Sequence, residues 1–264
     1  ISSSQSKGDI DLSNQPFTGK IALITGAGSG IGRATALAFA AAGASVVVSD
    51  VVETGGQETV GLVSEAGGEA LFIGADVSQL DEVAALVAES VRHFGRLDVA
   101  VNNAGIGGAW ARTADYPLDD WARVIAVNLS GVFYCMQQEL RQMLAQNGGA
   151  IVNVASIAGQ RALANAPAYT ASKHGVIGLT RTAAQEYARQ KIRVNAVCPV
   201  FTRTPLFQGM IEGNDQLAER LVQNIPARRF GEPEEVADAI LWLCSEGAGF
   251  VTGQALNVDG GLTA

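Results

Sequence analysis

The sequence predicts one doubly wound α/β domain of Rossmann type, a parallel sheet with helices on both faces, over residues 17–264. Three observations predict it. Short apolar runs of strand length alternate with segments of helical periodicity, which implies right-handed βαβ crossovers. A glycine-rich stretch sits between the first strand and the first helix. A length of 264 residues with 48% hydrophobic content suits one large buried core, and no Pro/Gly/Ser-rich linker or long charge run divides it.

The elements follow in order. Ile21-Ala-Leu-Ile-Thr25 is a strand, and Arg33 to Ala42 an Ala-rich helix ended by Gly43. Ser45 to Ser49 is a strand closed by Asp50, and Glu53 to Ala66 a helix stopped at Gly67-Gly68. Ala70 to Gly74 is a third strand, Asp81 to Phe94 a third helix, and Leu97 to Val101 a fourth strand. Leu118 to Leu144 reads as helical with a break near Asn128 to Gly131. Ala150 to Ala155 and Arg193 to Cys198 are strands around a long helix, Ala168 to Arg189. Thr204 to Arg229 has a mixed pattern, interrupted by Gly209, Gly213 and Asn214. Pro233 to Leu243 is a helix and Gln254 to Val258 the last strand. Residues 1–16 are polar and are expected to form a flexible tail.

Composition narrows the function classes. A net charge of −8 argues against nucleic acid, which needs a basic face. Cys135, Cys198 and Cys244 match no metal spacing and read as core thiols of a reducing compartment. His93 and His174 do not make a metal site, so no metal is expected. The amino-terminal stretch has no basic region followed by an apolar one, and no apolar run reaches membrane-spanning length. The expectation is a soluble cytoplasmic protein, trimmed ahead of Ile1.

The first βα turn reads Thr25-Gly-Ala-Gly-Ser-Gly-Ile-Gly32. Gly26, Gly30 and Gly32 permit a tight turn, close backbone approach to a pyrophosphate, and close helix–strand packing. Ser29 and Ile31 complete the turn, and the helix N-terminus behind it offers N–H groups and a positive dipole end. Asp50 ends the second strand, where a carboxylate accepts from the adenosine ribose hydroxyls and repels a 2′-phosphate. Val51 and Val52 follow, and Ser29 carries no positive charge, so nothing basic waits for that phosphate. The cofactor expected is NAD rather than NADP.

Tyr169 and Lys173 lie four apart in a helical segment and share a face. A nearby ammonium favours the phenolate and lowers its pKa, and an oxidised nicotinamide would add positive charge, so Tyr169 is expected to exchange a proton with an alcohol or ketone oxygen. Ser156 follows the strand Ala150 to Ala155, at an end that faces the ligand crevice, and can hydrogen-bond that oxygen. Each feature alone also fits a surface pair, a helix cap or an ordinary turn.

Together, the turn at 25–32, Asn102-Asn-Ala-Gly105, Asn128, Ser156 and Tyr169…Lys173 resemble the short-chain dehydrogenase/reductase family, the type with subunits of roughly this length. The resemblance covers about residues 17–264. It implies Tyr169 as general acid/base and Lys173 as the group that lowers its pKa and holds the nicotinamide ribose. It implies Ser156 as the substrate-oxygen contact and Asn128 as the holder of a water beside the lysine. By the same resemblance Asp76 and Val77 meet the adenine, and Asn102, Ala104 and Gly105 lie along the adenosine ribose; Asn102 and Asn103 equally fit a structural role.

Pro199, Thr202 and Thr204 resemble the segment beside the carboxamide and phosphates. The family usually places glycine where this chain has Val200, which leaves a narrowed pocket or a shifted loop open. The region after Thr204 resembles the substrate lid, with Phe201, Leu206, Phe207, Met210 and, from the loop after the fourth strand, Trp110 as apolar walls. The function implied is NAD(H)-dependent interconversion of a small uncharged secondary alcohol and a ketone, in a homotetramer with Phe250 to Val258 as an interface piece. The alternatives are a 3-oxoacyl thioester reductase and, from another class, a non-catalytic NAD-binding regulatory protein.

Overall fold

The computed structural model describes residues 15–264, so all but the last two residues of the expected tail lie outside it. Its elements are β1 (Ile21–Thr25), α1 (Gly30–Ala41), β2 (Ser45–Asp50), α2 (Glu53–Glu65), β3 (Glu69–Gly74), α3 (Leu80–Phe94) and β4 (Val99–Asn102). There follow α4 (Leu118–Ile125), α5 (Val132–Ala145), β5 (Gly149–Val154), α6 (Pro167–Tyr187) and β6 (Ile192–Pro199). The chain closes with α7 (Pro205–Ile211), α8 (Asp215–Asn224), α9 (Pro233–Cys244) and β7 (Ala255–Val258).

The strands pair in parallel in the order β3-β2-β1-β4-β5-β6-β7. Leu23, Val47, Ala100, Ile151 and Val194 point to one face and pack on Leu86, Met136, Met143, Val176 and Ile177 from α3, α5 and α6. Ile24, Val48, Val101, Val152 and Val197 point to the other and meet Phe39, Val63, Val236 and Ile240 from α1, α2 and α9. Because alternate side chains both meet helices, the strands need apolar residues at nearly every position. The strand order reverses at β1, whose neighbours are β2 and β4, so a ligand crevice opens at the carboxyl ends of β1 and β4.

Two local features bear on the site. Ala126–Gly131 winds as a π-helix between α4 and α5, where the sequence shows its break. The mixed stretch after Thr204 forms two helices, α7 and α8, with Gly213 at φ +73° in the turn between them. Phe207, Ile225 and Phe230 give this excursion a small core of its own.

One acid lies inside the main core. Glu139 of α5 is fully buried and accepts from Asn102 Nδ2 at 3.0 Å, and Asn102 Nδ2 also reaches Asn153 Oδ1 at 3.0 Å. Asn153 Nδ2 continues to Thr180 Oγ1 at 2.9 Å. Glu139 Oε1 has no partner among the described residues, so its charged form is poorly solvated and burial pushes its pKa up to about 8.

The folded state therefore holds this proton more tightly than the unfolded chain does. The stability it brings is complete below the unfolded carboxyl pKa of ~4.3 and is lost as pH rises through the folded value. Urea midpoints of the wild type are expected to fall between roughly pH 5 and pH 9 more steeply than those of Glu139→Gln. Parallel profiles would mean that Glu139 does not bind its proton in the folded protein.

Candidate active site

The crevice is built first from glycine. Gly26 and Gly30 have φ of +62° and +52°, a region that side chains disfavour. Gly32 is required by space, since a Cβ there would lie 2.2 Å from Gly26 O and 2.5 Å from Asn103 Nδ2. Ser29 makes no side-chain cap, and no acid occupies the first turn of α1, so its N–H groups face the crevice uncompeted. Ile31 packs against the core instead.

Asn103, not Asn102, faces this turn. Asn103 Nδ2 donates to Thr25 O at 2.9 Å and to Gly26 O at 3.0 Å. The Thr25 hydroxyl accepts from the N–H groups of Asn103 and Ala104 at 3.1 and 3.2 Å. Asn102 turns its side chain into the core, to Glu139 and Asn153, and so only its backbone is left for a ribose. In a strand, successive side chains alternate, and the end of β4 sends one amide to each side. The Val77 side chain is likewise buried, beside Val83 and Cys135, and only its backbone is left for an adenine.

Asp50 stands at the end of β2. Its Oδ2 accepts from Gly28 N at 2.8 Å and its Oδ1 from Val52 N at 2.9 Å. Asp76 Oδ1 accepts from Ser78 N at 2.9 Å in the turn after β3. Ala104 is partly buried, and a Cβ at Gly105 would lie 3.4 Å from Asn128 Oδ1 and 3.7 Å from Lys173 Nζ. Asn128 is fully buried in the π-turn, exchanging hydrogen bonds with Ile106: N–H to Oδ1 at 2.8 Å and Nδ2 to O at 2.8 Å.

Tyr169 and Lys173 project from the first turns of α6, which starts with Pro167 at a position where its missing N–H costs nothing. Lys173 Nζ lies 5.6 Å from the Tyr169 ring centroid and donates to Val154 O at 2.7 Å. Ser156 follows β5 in extended conformation, its Oγ accepting from Ala158 N at 3.1 Å. Burial lowers the Lys173 pKa to about 8. Burial also raises the Tyr169 pKa, while the Ser156 hydroxyl works in the opposite direction. The lowered phenol pKa expected from the sequence is thus not a property of the protein alone: desolvation of the phenolate outweighs the hydrogen bond with Ser156.

The far wall comes from the segment after β6. Pro199 and Thr202 are buried, and Thr202 bridges to Gly231. Thr204 caps α7 through Phe207 N at 3.3 Å, and its methyl would lie 3.1 Å from a Cβ at Gly30. The start of α7 therefore rests on the glycine turn. Val200 and Phe201 pack against the core of the α7–α8 excursion, with the Phe201 and Phe207 rings 5.4 Å apart. Leu206 and Trp110 are more than half exposed, and Leu206 reaches toward Gly107 of the loop after β4. The Met210 side chain lies outside the described residues. Among the described residues no group of His, Cys, Asp or Glu is arranged to hold a metal.

A family profile described as enoyl-(acyl carrier protein) reductase matches residues 26–263. A short chain dehydrogenase/reductase of Aspergillus oryzae is 45% identical over 253 residues, covering 93% of this chain and 95% of that protein. The chain belongs to the short-chain dehydrogenase/reductase family.

A cyclohexanol dehydrogenase of an Acinetobacter species is 46% identical over 253 residues, covering 96% of this chain and 98% of its own length. The structure of an NAD⁺-bound xylitol dehydrogenase superposes with a TM-score of 0.90 at 37% identity, covering 93% of this chain and 99% of that one. The chain is an oxidoreductase of this family, whose members here act on alcohols, and its cofactor is a nicotinamide dinucleotide. The glycine turn fits such a group, since its positive-φ residues and the uncapped α1 N-terminus leave backbone donors for a pyrophosphate. Among the described residues no helix is long and apolar enough to cross a membrane.

The Asn103 side chain went unassigned in the sequence because two adjacent asparagines after a strand look alike until the strand's end is placed. Asn103→Ala removes the donor to two turn carbonyls, at a cost of about 1–3 kcal/mol. It is expected to weaken NADH binding roughly tenfold while the protein stays folded, as read by fluorescence titration and circular dichroism. Unchanged binding would mean that the turn keeps its shape without Asn103.

Proposed function

We propose that this protein interconverts a small, uncharged secondary alcohol and the corresponding ketone with NAD(H), and that Tyr169 is its general acid/base. The observation that carries this reading is the group formed by partly buried Tyr169 with buried Lys173 and Ser156 beside the glycine-turn crevice. A bound nicotinamide supplies the hydride acceptor or donor. Ser156 and Tyr169 Oη hydrogen-bond the substrate oxygen and fix its carbon toward the crevice. In oxidation the alcohol O–H bond breaks and its proton passes to the Tyr169 phenolate as hydride leaves the carbinol carbon. In reduction the Tyr169 hydroxyl returns the proton to the developing alkoxide. Lys173, anchored on Val154 O, holds the nicotinamide ribose and stabilises the phenolate, and Asn128 fixes the Ile106 backbone beside it.

Asp50 at the end of β2, followed by Val51 and Val52, supports NAD over NADP. Asp76 and Val77 would flank the adenine, and Pro199, Thr202 and Thr204 the nicotinamide carboxamide and phosphates. Trp110, Phe201 and Leu206 offer apolar surface at the mouth, and a relative named for cyclohexanol makes alicyclic alcohols the first substrates to assay. The acyl carrier description of the matching profile favours a second reading, a 3-oxoacyl thioester reductase. Turnover of acetoacetyl thioesters with no turnover of cyclic alcohols would select it.

Tyr169→Phe is expected to lower kcat by at least about 100-fold, the usual contribution of general acid–base catalysis, with little change in NAD⁺ affinity. Because oxidation needs the phenolate and the free protein raises the Tyr169 pKa, kcat/KM for alcohol oxidation should climb toward alkaline pH. Near-wild-type turnover in the phenylalanine variant would remove Tyr169 from the chemistry.

The chain is also read as a homotetramer, with the fully exposed Phe250 at an interface. Light scattering should give four times the monomer mass, and Phe250→Ser should shift the distribution toward smaller species. Scattering at the monomer mass would remove the assignment.

A further inference from the structure

The carboxylate of Asp50 is held by the glycine turn, and the turn is itself held from behind. The peptide between Ala27 and Gly28 gives its N–H to Asp50 Oδ2 at 2.8 Å and its carbonyl to the Thr59 hydroxyl at 2.9 Å. The next peptide gives its carbonyl, Gly28 O, to Arg33 Nη2. Arg33 Nε donates to Thr59 Oγ1 at 3.0 Å, which leaves the threonine's single proton for a carbonyl, Ala27 O at 2.9 Å being nearer than Gly55 O one turn back at 3.1 Å. Arg33 Nη2 also pairs with Glu58 Oε2 at 2.7 Å. Thr59 is fully buried, Arg33 is 24% exposed and Glu58 is 61% exposed.

The packing is equally close. A Cβ at Gly28 would lie 2.8 Å from Asp50 Oδ2, and one at Gly55 would lie 3.0 Å from Gly28 O. Glycine at both positions lets α2 carry Thr59 and Glu58 against the turn.

We propose that Thr59 and Arg33 of this clamp are positioning residues for dinucleotide discrimination, acting through the turn on Asp50. This rests on the reading that Asp50 meets the adenosine ribose. An ionised carboxylate has about four lone-pair sites. Gly28 N and Val52 N take one on each oxygen, leaving one on each for the 2′- and 3′-hydroxyls. A 2′-phosphate meets the same fixed negative charge. Its relief would be for Asp50 to swing aside or for a cation to approach. The Thr59-anchored peptide opposes the first, because a carbonyl that accepts a hydrogen bond polarises its own N–H and strengthens its hold on Asp50. The Glu58 ion pair opposes the second by engaging Arg33, the cation that reaches the back of the turn. Loosening the clamp should help NADP more than it costs NAD.

The test measures dissociation constants of NAD⁺ and NADP⁺ on the full chain by calorimetry, with steady-state kinetics alongside. The variants are Asp50→Ala, Thr59→Val, Thr59→Ser and Glu58→Gln. Thr59→Val should lower the NADP-to-NAD ratio of dissociation constants about tenfold, the equivalent of one lost hydrogen bond. Its kinetic effect should fall on KM for the dinucleotide rather than on kcat. Thr59→Ser keeps the hydroxyl and should keep the wild-type ratio.

Glu58→Gln changes an exposed side chain and so tests the clamp even if Thr59→Val does not fold. It should lower the ratio about threefold, since exposed ion pairs are worth up to about 1 kcal/mol. If Asp50→Ala collapses the ratio while Thr59→Val, or Glu58→Gln in its place, leaves it unchanged, the clamp proposal is overturned and the ribose reading stands. If Asp50→Ala itself leaves the ratio unchanged, the ribose reading fails and takes the proposal with it.

Discussion

The contact on which the crevice depends is the one between the β1–α1 turn and the end of β4, closed by the Asn103 amide on Thr25 O and Gly26 O. The gap there is too small for any side chain at Gly32 and leaves backbone against backbone at Gly26 and Ala104. With that gap closed, the α1 N–H groups point into the crevice and Gly105 comes beside Asn128 and Lys173. The glycine turn and the Tyr169–Lys173 pair then stand at the two ends of one wall. The hydrogen bonds from Asn103 hold the turn against the end of β4.

Electrostatics inside the crevice follows from burial. Tyr169 and Lys173 both resist their charged forms, so the phenol pKa rises and the ammonium pKa falls to about 8. Each shift makes the neutral pair more stable and the ion pair costlier. A cationic ring bound alongside would reverse the balance for the phenolate. Under the proposed function, proton abstraction would then follow binding of the hydride acceptor.

Much of this was legible in the sequence, and the reasons differ by element. The strands stood out because a sheet covered on both faces demands apolar residues throughout, as in Val46-Val-Val48. The π-turn showed as a break at Asn128 because its residues interrupt an otherwise periodic helix. The α7–α8 excursion did not show, because Gly209 and Gly213 mask two short helices that are held by the Phe207–Ile225–Phe230 packing rather than by their own pattern. The division of labour between Asn102 and Asn103 was hidden because it turns on a single residue of strand register. The Tyr169 pKa was read in the wrong direction for the free protein because i,i+4 spacing reports proximity and says nothing of burial.

Val200 shows how such a departure is absorbed. Glycine at that position would matter most if the backbone needed a left-handed conformation. Among the described residues the non-glycine positions with positive φ are Asn147, Asn165, Lys191 and Arg228, so Val200 sits in ordinary backbone geometry. Its N–H donates to Val258 O at 3.2 Å and its carbonyl accepts from Thr202 Oγ1 at 2.9 Å, which extends the β6–β7 pairing by one residue. Its side chain packs against the Phe207–Phe230 core. The valine adds apolar contact at the base of the α7–α8 excursion. The valine methyl groups thus tie the α7–α8 excursion to the end of β6.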